Sequence, residues 1–566
     1  MNQTKLTKYQ NKSLFKKWIL ILVALILLIV SMYYLGFFSP VSNPGWKRAA
    51  KNFTDMFSFK SYNKNLTENL WELNFKYFIQ TVKTITCGSI LGFLAALFTG
   101  FFASTNIHKH KSIPLIIKII LLLLRAFPVI VFLLIFKISF DPYLAAFTIY
   151  FWFTWLWLHK YINDLIEAAD TKKYWNDIAK GSSKLKSFYT NIVLVLKNKF
   201  WVNFFLSYES NIRWVSVLGI VGINGLGFFF GDLSKYQKNI GITLFFIFLF
   251  ILINEGLLFF FNKVLFVKPN ITINSKADLN KFKYNWRKYV FWFILAIYFG
   301  IFIWSLTGLF HSKVDVKTFS LFFKSLFLWD FSDVVKTDIY KDYLYIFMCA
   351  YVAVGLAFIF AIAYSFILSE NLFNSYLVWF NKTILIIIKI IPAVIWFYMF
   401  NPLMKSQVAI TSAILISSFR HMCKQFAESI NSIDRRKISN MQAQGNSKWF
   451  IYRNFIIPQI KNQIISTNLF EYEKSFRNAI IYGAFANISI YKTINKYQET
   501  QEYSKIVPLI LPAYVFLIML ELAYLIFKNK DKLKFYINNS KLWNSFKKQR
   551  NFISKSQDLL FFKKDF

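Results

Sequence analysis

Runs of about 20 apolar residues, long enough to cross the hydrocarbon core of a bilayer, recur along the whole of this 566-residue chain. They constrain its fold more than any motif does. Backbone N–H and C=O groups find no water inside a bilayer, so each run has to satisfy its own hydrogen bonds, which a helix does within one segment. The runs fall at 18–38, 77–104, 113–136, 142–159, 203–230 and 241–262, then at 289–309, 343–368, 376–400, 403–419, 465–490 and 505–527. The expected fold is an all-α polytopic membrane protein with twelve transmembrane helices.

Charge is distributed between the runs. Of the 67 basic residues 57 are lysine, against 28 acidic ones, and they sit between apolar runs rather than on one basic domain. That pattern fits basic segments held on one side of a membrane and speaks against nucleic acid as the partner. Lysines 5, 8, 12, 16 and 17 precede the first run, and no small-residue cleavage site follows it, so it reads as a retained span with a cytoplasmic N-terminus. Twelve spans place both termini, segments 160–200 and 420–461, and the linker 263–288 on that same side of the plasma membrane. Residues 39–75 are basic yet fall outside, against the rule.

A constant offset of 264 relates the two halves. It carries Arg125 onto Lys389, Pro128 onto Pro392, Asp164 onto Glu428, Asp170 onto Asp434 and Gly181 onto Gly445. It also carries Glu209, Arg213 and Gly219 onto Glu473, Arg477 and Gly483. Constant register over such a length marks a duplication. Six spans per half, an even number, make the halves parallel repeats related by an axis along the membrane normal. The expected organisation is an N-terminal span and outer loop (1–75), a first repeat (76–262), a cytoplasmic linker (263–288), a second repeat (289–527) and a basic tail (528–566).

The halves diverge in one stretch each. Tyr208–Gly227, YESNIRWVSVLGIVGINGLG, carries Gly219, Gly222, Gly225 and Gly227; in the second half only Gly483 survives, the others becoming Ala486, Ser489 and Tyr491. Such glycines let backbones approach closely or let a helix break, so they are expected to act as a hinge. Conversely Pro458 follows Gly445, where the first half has Leu194. Glu209 with Arg213, and Glu473 with Arg477, share one helix face by their spacing. Charges at membrane depth face a bundle interior or a polar path, so these pairs either neutralise themselves or line a translocation path together with Asn211. Glu255 and Glu521 are lone carboxylates in the last span of each half, suited to an interhelical hydrogen bond or a proton relay. Arg125 and Lys389 precede prolines and can meet an anionic group or nearby carboxylates.

Two stretches resemble binding-protein-dependent importer permeases of the ATP-binding-cassette (ABC) class. MQAQGNSKWFIYRNFIIPQI, with Gly445 and Pro458, resembles the segment that docks on a separate ATPase in that family, and Gly181 is its counterpart in the first half. The family's Glu-Ala before the glycine is replaced by Ser439-Asn440 and Trp175-Asn176. YESNIRWVSVLGIVGINGLG resembles the signature of the phosphonate-type permeases, with Asn224 where a glycine is usual. The resemblance covers 75–262 and, more weakly, 340–527. As a fused double permease the chain resembles that of the high-affinity transport system of wall-less bacteria. The resemblance implies two copies of an ATPase subunit that binds the ATP, a lipid-anchored extracellular binding protein, and a phosphonate-like or thiamine-type cargo.

Other chemistry lacks its residues. There is no phosphate-binding GxxxxGK[ST] loop, and five scattered histidines with three separated cysteines offer no metal or cofactor site. The chain is therefore expected to be a translocation subunit rather than an enzyme. The competing reading is a secondary transporter coupled through Glu255 and Glu521.

Overall fold

A computed structural model describes residues 3–39, 43–64, 66, 68–127, 129–223, 225–231, 233–265, 282–336 and 338–528. Pro128, Asn224, most of the linker and the tail beyond Lys528 lie outside the described residues. Among those described, secondary structure is helical apart from one isolated bridge between Phe140 and Val314. The first half runs α1 (Gln3–Leu35), α2 (Asn43–Met56), α3 (Leu70–Ala103), α4 (Ser112–Ala126), α5 (Val129–Ser139), α6 (Pro142–Glu167), α7 (Lys172–Ala179), α8 (Lys184–Phe188), α9 (Leu194–Val221) and α10 (Ile240–Phe260). The second runs α11 (Phe282–Phe310), α12 (Val316–Ser325), α13 (Ile339–Ile367), α14 (Ser375–Ile390), α15 (Ala393–Phe400), α16 (Ser406–Asn431), α17 (Arg435–Ala443), α18 (Lys448–Ile451), α19 (Lys461–Tyr482), α20 (Ile490–Glu499) and α21 (Ile506–Lys528). Moved by 264 residues, the bounds of α6 coincide with those of α16, and α4 and α5 begin within one residue of α14 and α15.

Two tight helix pairs form the centre. On α3 the residues Gly88, Gly92, Ala96 and Gly100 recur every fourth position and make a flat stripe against α6. A Cβ on Gly88 would lie 2.8 Å from the backbone nitrogen of Phe151, and one on Gly92 2.8 Å from its carbonyl oxygen. Helices that gain little from hydrophobic association in lipid are held by this close approach. The stripe Ala353, Ala357, Ala361 and Ser365 on α13 faces α16 in the same way, all fully buried or nearly so. Buried polar contacts add register. The Asn211 amide of α9 donates to Ser89 (2.9 Å) and Thr154 (2.7 Å), joining three helices. Ser475 and Ser418, which the same offset places on Asn211 and Thr154, share a hydrogen bond of 3.0 Å.

The outer helices cross over. Helix α1 packs on α13 of the second half, and α11 packs on α3 of the first. The Tyr351 hydroxyl donates to the Ala24 carbonyl (2.8 Å), and Ser305 donates to the Lys83 carbonyl (2.8 Å). Only 17 % of the apolar window of α1 and 6 % of that of α11 is buried, so both present most of their surface to lipid.

Among the described residues six helices are long and apolar enough to cross a membrane, or eight if the bent pairs α4/α5 (75°) and α14/α15 (82°) each count as one. The chain is a polytopic helical membrane protein. The other four expected spans fall on α6, α9, α16 and α19, where His159, Glu209, Asn211, Ser418, Glu471 and Glu473 are buried. Boundaries also differ from expectation. α6 and α16 continue through Glu167 and Asn431, well into segments read as polar loops, because those turns stay packed. The spans read as 203–230 and 465–490 end at Val221 and Tyr482, where glycine-containing turns stop the helices.

Replacing Gly92 with valine should cost about 1–3 kcal/mol through overpacking against α6 and lower the thermal unfolding midpoint in detergent. Gly256→Val, with nothing within 4 Å of its Cβ, is the control and should move it far less.

Candidate functional site

The charged residues that the apolar helices shield converge on one cavity. It measures about 300 Å³ and lies between α4, α6 and α9 of the first half and α14, α16 and α19 of the second. Asn211, Arg213, Glu473 and Arg477 line it. Glu209, 1 % exposed, stands behind the lining and pairs with Arg213 at 3.3 Å. Glu473 and Arg477 pair at 2.7 Å. The structure thus brings the two sequence-predicted pairs to a common space, while the Asn211 amide is engaged by Ser89 and Thr154.

Cations at the bends reach across the interface. Lys389, at the end of α14, pairs with Glu209 (2.6 Å) and Glu255, both in the first half. Arg125, at the end of α4, pairs with Glu521 in the last helix of the second half, and Lys160 approaches the same carboxylate at 3.8 Å. Each half therefore supplies the cation at its bend to the lone carboxylate of the other half. Arg477 closes the arrangement by donating to the Arg125 carbonyl oxygen (2.7 Å). Pro392 sits at the α14/α15 break in extended conformation, where a residue without an N–H removes a helical hydrogen bond.

The glycines of the Tyr208–Gly227 stretch close a turn. Gly222, at φ 92°, ends α9, its N–H donating to the Gly219 carbonyl while Ile223 donates to Leu218. A Cβ on Gly219 would fall 1.8 Å from the Gly227 carbonyl oxygen, so the backbones touch there and the residue is not in a helix interior free to bend. Gly225 lies in the same loop, fixed to α3 where Leu226 donates to Thr81 (3.0 Å). In the second half Gly483 begins a short 3-10 turn. Ser489, replacing the glycine of the first copy, is held at φ 59°, ψ −149°. A side chain in that region costs about 1–3 kcal/mol, so the loop kept an unusual backbone after losing its glycine.

Gly181 and Gly445 occupy matching turns. Each follows a short helix, α7 or α17, with φ of 90° and 79°. Each donates to the carbonyl three residues back (Ile178, Gln442), and the next residue reaches the one five back (Asp177, Met441). This is the left-handed helix stop that glycine adopts without Cβ strain. Ser183 and Ser447 then cap α8 and α18 through their hydroxyls. Beyond each cap an apolar side chain is exposed at the same repeat position, Leu185 and Trp449. Pro458 lies just past a π-helical turn, Tyr452–Ile456, and separates it from α19, whereas α9 starts at Leu194 without interruption.

The chain is 26 % identical over 483 residues to a Mycoplasma pneumoniae protein named ABC transport system permease protein p69, covering 82 % of this chain and 86 % of that one. It is also 26 % identical over 524 residues to the protein of the same name from Mycoplasma genitalium, covering 91 % and 95 %. Along most of its length the chain is similar to ABC transporter permeases. No family model and no solved structure matches it.

Sequence reasoning missed a second group beside this permease-like core. Glu471, fully buried, contacts His421 Nδ1 (2.5 Å) and Lys474 (3.3 Å), and Arg420 is next to them on α16. The offset places Ser207, Trp157, Ser210 and Leu156 at these four positions, so comparing the halves for charges gained, as well as residues kept, would have exposed the cluster.

Removing one partner of a buried ion pair costs about 3–5 kcal/mol, whereas exposed pairs contribute about 0–1 kcal/mol. Glu521→Gln, which leaves Arg125 and Lys160 without their carboxylate, should lower the thermal midpoint clearly. Glu370→Gln, at the exposed pair with Lys382, should leave it nearly unchanged.

Proposed function

We propose that this chain is the membrane subunit of an ATP-binding-cassette importer, built as twelve spans in two parallel six-helix repeats. The observation that carries the reading is the pair of matching glycine turns at Gly181 and Gly445, each with an exposed apolar residue beyond it and each leading into a helix that reaches the cavity. An ATPase subunit docked on each turn would move α9 and α19, and with them Arg213, Glu473 and Arg477. The name carried by the two Mycoplasma relatives supports the same class.

In this mechanism both termini are cytoplasmic in the plasma membrane, and two ATPase copies bind and hydrolyse the ATP. A lipid-anchored binding protein delivers the solute on the outer face. The cargo is phosphonate-like or thiamine-type. The excess of cations around the cavity supports an anionic form, since seven basic side chains and one carboxylate line it. Rocking of the halves between inward- and outward-facing states would break and remake the ion pairs of Arg125 and Lys389. A secondary transporter would need Glu255 and Glu521 free to titrate, and each is instead paired with a cation of the opposite half.

Purification with the proteins encoded beside this chain tests the reading. A stoichiometric ATPase should co-purify and be lost at least in part from Gly445→Ala, because alanine in left-handed conformation costs roughly 1–2 kcal/mol and deforms the turn. Uptake in proteoliposomes driven by an ion gradient with no ATPase present would overturn it. Glu209→Gln and Glu473→Gln should each impair uptake while the ATPase stays bound; normal uptake by both removes these residues from the path.

A further inference from the structure

Seven basic side chains line the cavity: Arg125, Lys160, Arg213, Lys389, Arg420, Lys474 and Arg477. Six of them meet a carboxylate, namely Glu521, Glu209, Glu255, Glu471 or Glu473. Arg420 does not. Its guanidinium makes no hydrogen bond and no ion pair among the described residues, although it lies within the bundle at the cavity wall. Arginine stays charged in proteins and offers five N–H donors in a planar fork. Leaving that fork unpaired at membrane depth is costly, and such residues mark a functional path.

The two halves treat this level of the cavity differently. Arg420, Lys474 and Asn478 stand on the second-half wall; the offset of 264 places Leu156, Ser210 and Trp214 at the same positions of the first. The first-half wall carries Trp152, Trp157 and Trp214 where the second has Ile416, His421 and Asn478. At this level the second-half wall therefore gains two cations and the first-half wall three tryptophans, although both walls carry cations elsewhere. A cavity of about 300 Å³ is at the small end of the range for ligand sites.

We infer that Arg420 receives an oxyanionic group of the transported solute, and that the solute's apolar body lies against the tryptophans of the opposite wall. The guanidinium fork matches the paired oxygens of a phosphonate, phosphate or carboxylate. Because only one half carries it, the solute binds in one orientation and once per chain, although the protein is built on a repeat. The inference rests on the permease reading for calling the ligand cargo; the site itself is argued from this cavity alone.

The test uses the full chain in lipid nanodiscs, with thermal unfolding and calorimetric titration as readouts. Phenylphosphonate should raise the unfolding midpoint, and benzoate reports whether a carboxylate suffices. Benzyl alcohol, which is neutral, should have no such effect, and inorganic phosphate, which lacks the apolar body, should bind more weakly than phenylphosphonate. Arg420→Gln should weaken phenylphosphonate at least tenfold, Arg420→Lys less, and Glu370→Gln, at the exposed pair with Lys382, not at all. Without probe, Arg420→Gln should unfold at the wild-type midpoint or above it, since it removes a charge that no carboxylate contacts directly. Failure of both anions to stabilise the wild-type chain, equal binding of phenylphosphonate by Arg420→Gln, or a lower midpoint of that variant without probe would each overturn the inference. Co-purification of the ATPase separates the two proposals: anion binding without an ATPase partner sinks the importer reading alone, and an ATPase partner without anion binding sinks this one alone.

Discussion

A charge inside a bilayer needs a partner or a watery path, and the architecture of this protein follows from that requirement. Arg125 and Lys389 come from the bends of α4 and α14, and Glu255 and Glu521 from the otherwise apolar α10 and α21, but most of the charges that line the cavity are on four helices, α6, α9, α16 and α19. The same helices would be poor spans if they faced lipid. Four carboxylates are deeply placed: Glu209, Glu471, Glu473 and Glu521 are all at most 6 % exposed. The cations that answer them reach in from bends and neighbouring helices, so neutralisation and assembly are one process.

Much of the plan is legible in the sequence because duplication turns isolated residues into pairs. Gly181 alone is one glycine in a basic loop; with Gly445 at a constant offset it becomes a repeated turn, and the structure places both at left-handed helix stops. The Glu/Arg pairs are readable from spacing, since four residues bring two side chains to one face. What the sequence hides is the identity of partners across helices. Nothing in the spacing of Lys389 points to Glu209 and Glu255, or of Arg125 to Glu521, because these contacts depend on how the halves meet. Helix ends were hidden too. A glycine run reads equally as a flexible interior or as a stop, and only the contact between Gly219 and Gly227 decides for a stop here. The small-residue stripe Gly88, Gly92, Ala96 and Gly100 was visible as a four-residue period, yet the apolar run around it concealed its meaning.

Divergence between the copies is as informative as their agreement. The first half keeps its glycines and a continuous helix from Leu194, and its cavity wall carries Trp152, Trp157 and Trp214. The second half has Pro458, a strained Ser489, and the charged group of Arg420, His421, Glu471 and Lys474. Backbone geometry has been preserved more faithfully than side-chain chemistry. That is the pattern expected when a shared framework is held by close packing while a central space is altered one wall at a time.

The crossed outer helices bear on how such a chain comes to be assembled. Helix α1 leaves the ribosome well before α13, but its seat on α13 includes a hydrogen bond between residues 327 positions apart, from Tyr351 to the Ala24 carbonyl. Until α13 has been synthesised, α1 lacks this seat. Its strongly apolar surface suits it to that interval in lipid, where a more polar helix would have no refuge while it waited. The second half, in turn, lends α11 to a first half already in place. Neither half is complete by itself, and the polypeptide link between them ensures that each finds the other's missing helix at a local concentration that two separate chains would not reach.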